Sequence, residues 1–393
     1  MNFKKGLVAV AISSLVAAPA WATNGYAPHG IGQISKGMGG VGVALPQDSL
    51  AGGVNPAGMA FVGNRMDLGA EVFRPIRGTV VGGTDRDASA KKHFLVPEFG
   101  YNRMLNDKMS VGVSVFGNGG MNTNYKMGLF GSTNSGIDLA QLFIVPTVAY
   151  KINENNAIGV GLNLAYQQFT ATGLQGFGVM DPGTDSSTGA GLRIGWTGKV
   201  SDSVTLGATY QSKTKMGEFD KYNNLFAEQG DFDIPSNFAL GVAFQATPQL
   251  TVGFDVMRIN YGGVRAISNV QNEGGALGAD NGSGFGWDDQ TIYKLGLSYD
   301  YSKSLTLRAG FNHGSIPYAS SQTQFNTLAP ATVEDHLTFG ATWKLDNGMS
   351  VTGSYMHAFE NTITGVTNAQ GSGAGFNNRM YQDSLGVAVS WDM

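Results

Sequence analysis

The chain contains no cysteine, so neither disulfides nor thiolate metal sites are open to it. Charge is scarce as well: Asp, Glu, Lys and Arg make up 14% of the residues, without the basic excess that a nucleic-acid partner demands. Long apolar runs are missing too. Beyond the amino-terminal segment nothing approaches the ~18 continuous apolar residues that mark a membrane-spanning helix. A disulfide scaffold and a helical membrane bundle are thereby excluded. What the chain has in quantity is glycine, 58 residues spread along the sequence rather than clustered, which suits many short strands joined by turns.

Residues 1–22 read as a signal peptide. Lys4 and Lys5 form the charged start, Gly6–Ala18 the apolar run, and Ala20-Trp21-Ala22 the small-x-small cleavage site. Export removes two lysines and leaves 23 basic against 29 acidic residues, a net charge of −6.

From residue 66 onward, apolar residues recur at period two in fourteen runs: 66–73, 94–101, 109–116, 141–150, 157–166, 189–197, 203–211, 237–244, 250–258, 288–299, 305–312, 334–343, 349–357 and 382–392. Six connections are tight and polar, centred on Asn106-Asp107, Asn153-Glu154-Asn155, Ser201-Asp202, Ala246-Thr247-Pro248, Tyr301-Ser302-Lys303 and Asp346-Asn347-Gly348. The seven between them run to about 15–30 residues. An even strand number, with short turns on one side and long loops on the other, predicts an all-β membrane protein: a 14-stranded antiparallel outer-membrane β-barrel.

The two faces of the runs differ. Before each short turn or the terminus, every second run ends its apolar parity on an aromatic: Tyr101, Tyr150, Trp196, Phe244, Tyr299, Trp343 and Trp391. Seven aromatics at one level make an interfacial girdle. The opposite parity carries Gly112, Gly159, Gly161, Gly207, Gly241, Gly253, Gly296, Gly310, Gly340 and Gly386. Glycine weakens a strand, so this stripe marks a face against which something lies closely. A soluble β-sandwich would alternate as well, but needs neither the girdle nor loops sorted by length.

The closely packed object is expected to be residues 23–65. Their stretch Gly30–Phe61 is rich in glycine, among them Gly37, Gly39, Gly40 and Gly42, and carries Asp48 before closing on Asn55-Pro56-Ala57. It is too poor in periodic apolar residues for a core of its own. The domain reading is therefore a signal peptide (1–22), a plug (23–65) and a barrel (66–393). Gly37, Gly39 and Gly42 also satisfy G-x-G-x-x-G, but no buried strand precedes them and Pro46 follows within a turn, so a dinucleotide site is rejected.

This segment, followed by Val96-Pro97-Glu98-Phe99-Gly100-Tyr101 and by Gln141–Lys151 (QLFIVPTVAYK), resembles the FadL family of outer-membrane transporters for hydrophobic compounds, over essentially the whole mature chain. The resemblance implies passive transport by a monomer of one barrel, in the outer-membrane lipid and lipopolysaccharide layer, with no cofactor. It implies that residues 23–65 act as a hatch. Substrates would be caught among the extracellular loops, enter an apolar pocket in the lumen and leave sideways at a kink in the third strand, here at Gly117, Gly119 and Gly120. The chain departs from the usual pattern in ending on Met393 rather than on the aromatic that the barrel-assembly machinery reads.

Site residues follow from face and loop position. Glu71, Glu98, Arg193, Asp255, Lys294, Arg308 and His336 point inward by parity. Arg193, Lys294 and Arg308 are candidate partners for a carboxylate head group, and pairing with lumen acids or with Asp48 is the competing assignment. Met121, Met127, Leu129 and Phe130 in one loop, and Leu225 and Phe226 in another, are candidate capture surface, with loop-against-loop packing as the alternative. The inward cations make long-chain fatty acids the first choice of substrate and monoaromatic hydrocarbons the second. The five histidines show no metal-ligand spacing. No nucleophile elbow suggests an enzyme, and an adhesin has no need of a plug.

Overall fold

The computed structural model describes residues 24–129, 132–346 and 348–393, so the signal-peptide reading and Phe130 lie outside the described residues. Fourteen long strands form one antiparallel sheet. They are β1 (Arg65–Val81), β2 (Phe94–Met104), β3 (Met109–Asn122), β4 (Gly136–Asn153), β5 (Asn156–Thr172), β6 (Asp185–Lys199), β7 (Val204–Gln211), β8 (Asn237–Gln245), β9 (Leu250–Ile259), β10 (Gln290–Asp300), β11 (Leu305–Gly314), β12 (Asp335–Lys344), β13 (Met349–Thr364) and β14 (Phe376–Asp392). Each pairs with its sequence neighbour, and β14 pairs with β1 from Arg65↔Asp392 to Val81↔Phe376. The sheet thus closes with no free edge, as lipid requires.

Alternation sorts the side chains. Leu68, Leu95, Val160, Leu240 and Leu385 are each more than 50% exposed, an apolar band that only lipid suits. The girdle aromatics meet apolar residues of the neighbouring strand at one level, with Tyr101 and Trp391 both opposite Met66.

The inward face is filled by the described residues that precede β1, 24–64. A helical turn at Gln33–Lys36 and two 3₁₀ turns, Ser49–Gly53 and Pro56–Ala60, lie buried against the strands. Each 3₁₀ turn has a reason in sequence: Asp48 Oδ1 accepts from Leu50 N (3.0 Å), and Asn55 Oδ1 accepts from Ala57 N (3.2 Å) while Pro56 opens the turn. The glycine stripe is where this segment touches. A Cβ on Gly296 would stand 2.6 Å from Met38 O, and one on Gly340 would stand 3.0 Å from Gly37 Cα.

The regular register breaks in β3. Between Gly117 and Gly119 the pairing with β4 slips by one residue and leaves Asn118 as the extra residue of a bulge. Pairing between β2 and β3 stops at Glu98↔Phe116, although β2 continues to Phe94 and β3 to Asn122. Beyond the break Gly120 N–H donates instead to Tyr26 O of the lumenal segment (3.1 Å).

Candidate functional site

A cavity of about 70 Å³ remains between the lumenal segment and the wall formed by β6 to β10. Its apolar lining comes from Tyr26, Ile31, Val43 and Val54 of the segment, Ile234 and Pro235 of the loop before β8, and Ala239, Met257 and Ile259 of β8 and β9. Two cations, Arg193 on β6 and Lys294 on β10, also face it. At the long-loop end it is roofed by an aromatic cluster in which Tyr26 packs on Tyr261 (ring centroids 5.4 Å apart) and Trp287 (6.0 Å).

Arg193 is 4% exposed and has no carboxylate partner among the described residues. Its Nη2 donates to Gln211 Oε1 and its Nη1 to Val54 O (3.5 Å), while Nε has no partner. Lys294 donates to Gly40 O (3.3 Å). Its cross-strand neighbour Asp255 directs Oδ2 at the N–H groups of Gly42 (2.8 Å) and Val43 (3.1 Å), and its Oδ1 is unpartnered. The cavity is therefore apolar in bulk, with cationic donors on β6 and β10 and a turn of the lumenal segment fastened to Asp255 on β9.

Residues 9–392 match the family model described as outer membrane protein transport protein (OMPP1/FadL/TodX). The chain belongs to this family. It is accordingly an outer-membrane transporter of hydrophobic compounds, and the enzyme alternative falls. No curated protein sequence matches this FadL/TodX-family chain. Solved structures do match in fold. The Pseudomonas putida toluene transporter TodX is similar with a TM-score of 0.72 at 19% identity, over 94% of this chain and 100% of that one. A Pseudomonas aeruginosa FadL homologue is similar with a TM-score of 0.71 at 16% identity, over 94% and 99%. The Ralstonia pickettii toluene transporter TbuX is similar with a TM-score of 0.67 at 16% identity, over 92% and 98%.

Of the three cations singled out in this FadL/TodX-family sequence, two line the cavity, Arg193 and Lys294. Arg308 does not line the cavity: its Nη1 donates to Thr342 Oγ1 (2.7 Å) and its Nε to Gln47 Oε1 (3.4 Å). Alternation gave its face but not its place around the barrel. None of the three makes the expected pair with Asp48, which caps its own turn. Glu71 and Glu98 are met by Lys36 of the segment instead, and the inward His336 is stacked by His29 at 6.3 Å.

The other segment residues hold it in place. Gly39 and Gly40, at φ of +72° and +83°, make a tight turn whose Gly39 N–H donates to Thr338 Oγ1 (2.7 Å). Asn55 Nδ2 reaches Val43 O (2.8 Å), Trp196 O (2.9 Å) and Thr197 Oγ1 (3.0 Å), tying Asn55-Pro56-Ala57 to β6.

The expected capture surface is mostly interior. Among its described residues only Met127, 65% exposed, is open. Met121 lies past the bulge in β3, which reverses the side-chain parity and turns it inward opposite Leu139. Leu129 packs with Ala88 and Tyr125. Leu225 and Phe226 belong to the aromatic roof, where Phe226 meets Phe169 at 4.7 Å and Phe232 at 4.8 Å. Sequence reading missed Tyr26, Lys36 and Asn118. A lone lysine in an apolar, glycine-rich segment was the available signal for Lys36.

Proposed function

We propose that the chain admits hydrophobic molecules with an anionic head group, long-chain fatty acids first among them, by passive diffusion past residues 23–65 acting as a hatch. The observation that carries this reading is Arg193: a buried guanidinium facing an apolar cavity with no acid beside it. Burying a cation without a counter-charge is costly, and a carboxylate supplied by the ligand offsets that cost. Lys294 shares the wall and adds a second donor. The tail then gains roughly 0.8 kcal/mol for each methylene buried against the aromatic and aliphatic lining.

The described state is closed. A cavity near 70 Å³ is smaller than the roughly 150 Å³ that holds benzene in an engineered protein core. A ligand therefore enters only as the Tyr26 end of the hatch or the aromatic roof gives way. Exit is sideways at the β3 bulge, where β2 and β3 are no longer paired with each other beyond Glu98↔Phe116.

The test is uptake of labelled oleate and labelled toluene in a bacterial strain lacking its own hydrophobe transporter and expressing this chain or its Arg193→Gln/Lys294→Gln variant. Oleate uptake should fall roughly tenfold or more in the variant, the loss of a charge-assisted bond, while toluene uptake holds. Equal effects on both substrates would sink the head-group assignment. Toluene uptake without any oleate uptake by the unaltered chain would favour monoaromatic hydrocarbons, in keeping with the fold shared with the toluene transporters TodX and TbuX.

A further inference from the structure

The bulge residue of β3 ends a ladder of amides that crosses four strands. Asn118 Nδ2 donates to Gln141 Oε1 on β4 (3.1 Å), Gln141 Nε2 to Gln167 Oε1 on β5 (3.1 Å), and Gln167 Nε2 to Ser187 Oγ on β6 (3.0 Å) and to Phe232 O (3.1 Å). Amide oxygens and nitrogens are told apart by such networks, and here one end is unambiguous. The carbonyl of Phe232 only accepts, so Gln167 must turn its NH₂ toward it and its oxygen toward Gln141. Gln141 then presents NH₂ to Gln167 and oxygen to Asn118. Asn118 is left to donate into the ladder, and its Oδ1 has no partner among the described residues.

That oxygen belongs to a residue on the cavity wall. Asn118 lines the cavity at the point where β3 leaves its pairing with β2. The bulge frees it from the strand ladder and the amides fix its polarity. We infer that Asn118 is a specificity-determining residue that offers a hydrogen-bond acceptor to substrates carrying a hydroxyl O–H, at the start of the sideways exit. It rests on the reading of the cavity as the substrate route, but not on the anionic head group. An acceptor repels a bare carboxylate, so its ligands are alcohols, phenols and the hydroxyl of a hydroxylated acid. Asp255 Oδ1 is also an unpartnered acceptor on the lining, but it stands on β9; at β3 the Asn118 oxygen is the acceptor that replaces the water lost by a ligand hydroxyl.

The probes are p-cresol and p-xylene, which differ by one hydroxyl in place of one methyl, with labelled oleate measured beside them. Initial uptake is compared in cells expressing the full chain, Asn118→Leu, or Gln167→Leu at the far end of the ladder. The p-cresol to p-xylene ratio should fall roughly fivefold in Asn118→Leu, one neutral hydrogen bond, with p-xylene uptake kept. Gln167→Leu leaves the cavity wall intact but releases the polarity of the amides, and should lower the same ratio by a smaller factor. An unchanged ratio in both variants overturns the inference. So does a parallel loss of all three substrates from an assembled barrel, which would make Asn118 a structural residue only. Loss of oleate uptake by the unaltered chain would instead remove the head-group reading and leave the hydroxyl ratio standing.

Discussion

Lys36 holds its ammonium 2.5 Å from Glu71 Oε2 on β1 and 3.5 Å from Glu98 Oε2 on β2, with all three side chains buried. Glu98 Oε1 also accepts from Gln33 N (3.0 Å), so one helical turn of the lumenal segment is fastened to β1 and β2 through two carboxylates. Removing one partner of a buried pair costs roughly 3–5 kcal/mol because the other charge is left stranded. Lys36→Met should therefore loosen the segment and raise single-channel conductance and sensitivity to large antibiotics. Adding Glu71→Gln and Glu98→Gln should restore much of the seal, since a buried ion pair replaced as a whole is often neutral. A Lys36→Met barrel as tight as the unaltered chain would remove Lys36 as the anchor.

Arg308 provides the contrast to Arg193. Both are inward by alternation, yet Arg308 is tied to Thr342 and Gln47 away from the cavity. Arg308→Gln is expected to change oleate uptake by less than about twofold, while Arg193→Gln alone lowers it several-fold, one charge-assisted bond. Similar losses from the two substitutions would mean that the head group sits elsewhere.

These two arginines also show how much of the site the sequence carried. Period-two alternation marked all fourteen strands and the face of each inward residue, because pleating fixes the face whatever the tertiary context. It said nothing of height or position around the barrel, and so grouped Arg308 with Arg193. Alternation also fails past a bulge: Met121, an expected loop residue, is turned inward once Asn118 is inserted. Strand ends were underread, as β1 runs to Val81 where the clean pattern stops at Phe73. The extension is paired with β14 beyond the apolar band, where no lipid imposes alternation. Leu225 and Phe226 were legible as apolar but not as buried, since what covers a loop residue is another loop.

The loop between β7 and β8 should respond to pH. Burial, and then the neighbouring Asp233 carboxylate, raise the Asp231 carboxyl to about 7 from its ordinary 3.8. A carboxyl raised on folding contributes stability in full below its unfolded value and loses it as pH climbs through its folded value. Packing of this loop is therefore strongest below about pH 4 and weakens up to about pH 7. Limited proteolysis of outer-membrane vesicles should cut residues 217–233 faster at pH 8.5 than at pH 5, and Asp231→Asn should flatten that difference. A pH dependence that survives Asp231→Asn would assign it to another group.

The glycine stripe gives a prediction that separates the lumenal segment from the barrel. A Cβ on Gly296 of β10 would stand 2.6 Å from Met38 O and 3.0 Å from Met38 Cβ, both parts of the tight turn that also reaches Thr338. Backbone on one side and a closed strand on the other leave little room for relief, and overpacking of this kind costs roughly 1–3 kcal/mol. The strand itself loses nothing, because valine suits a strand better than glycine does. Gly296→Val should thus assemble as a heat-resistant barrel, seen as the folded band on unheated gels, yet leak small solutes. Gly353→Ala on β13, where a Cβ meets nothing within 4 Å, is the matched control and should neither leak nor lose assembly. If Gly296→Val stays sealed, the stripe is not what seats the segment. If it fails to assemble while Gly353→Ala succeeds, the segment and the wall fold as one unit rather than as plug and container.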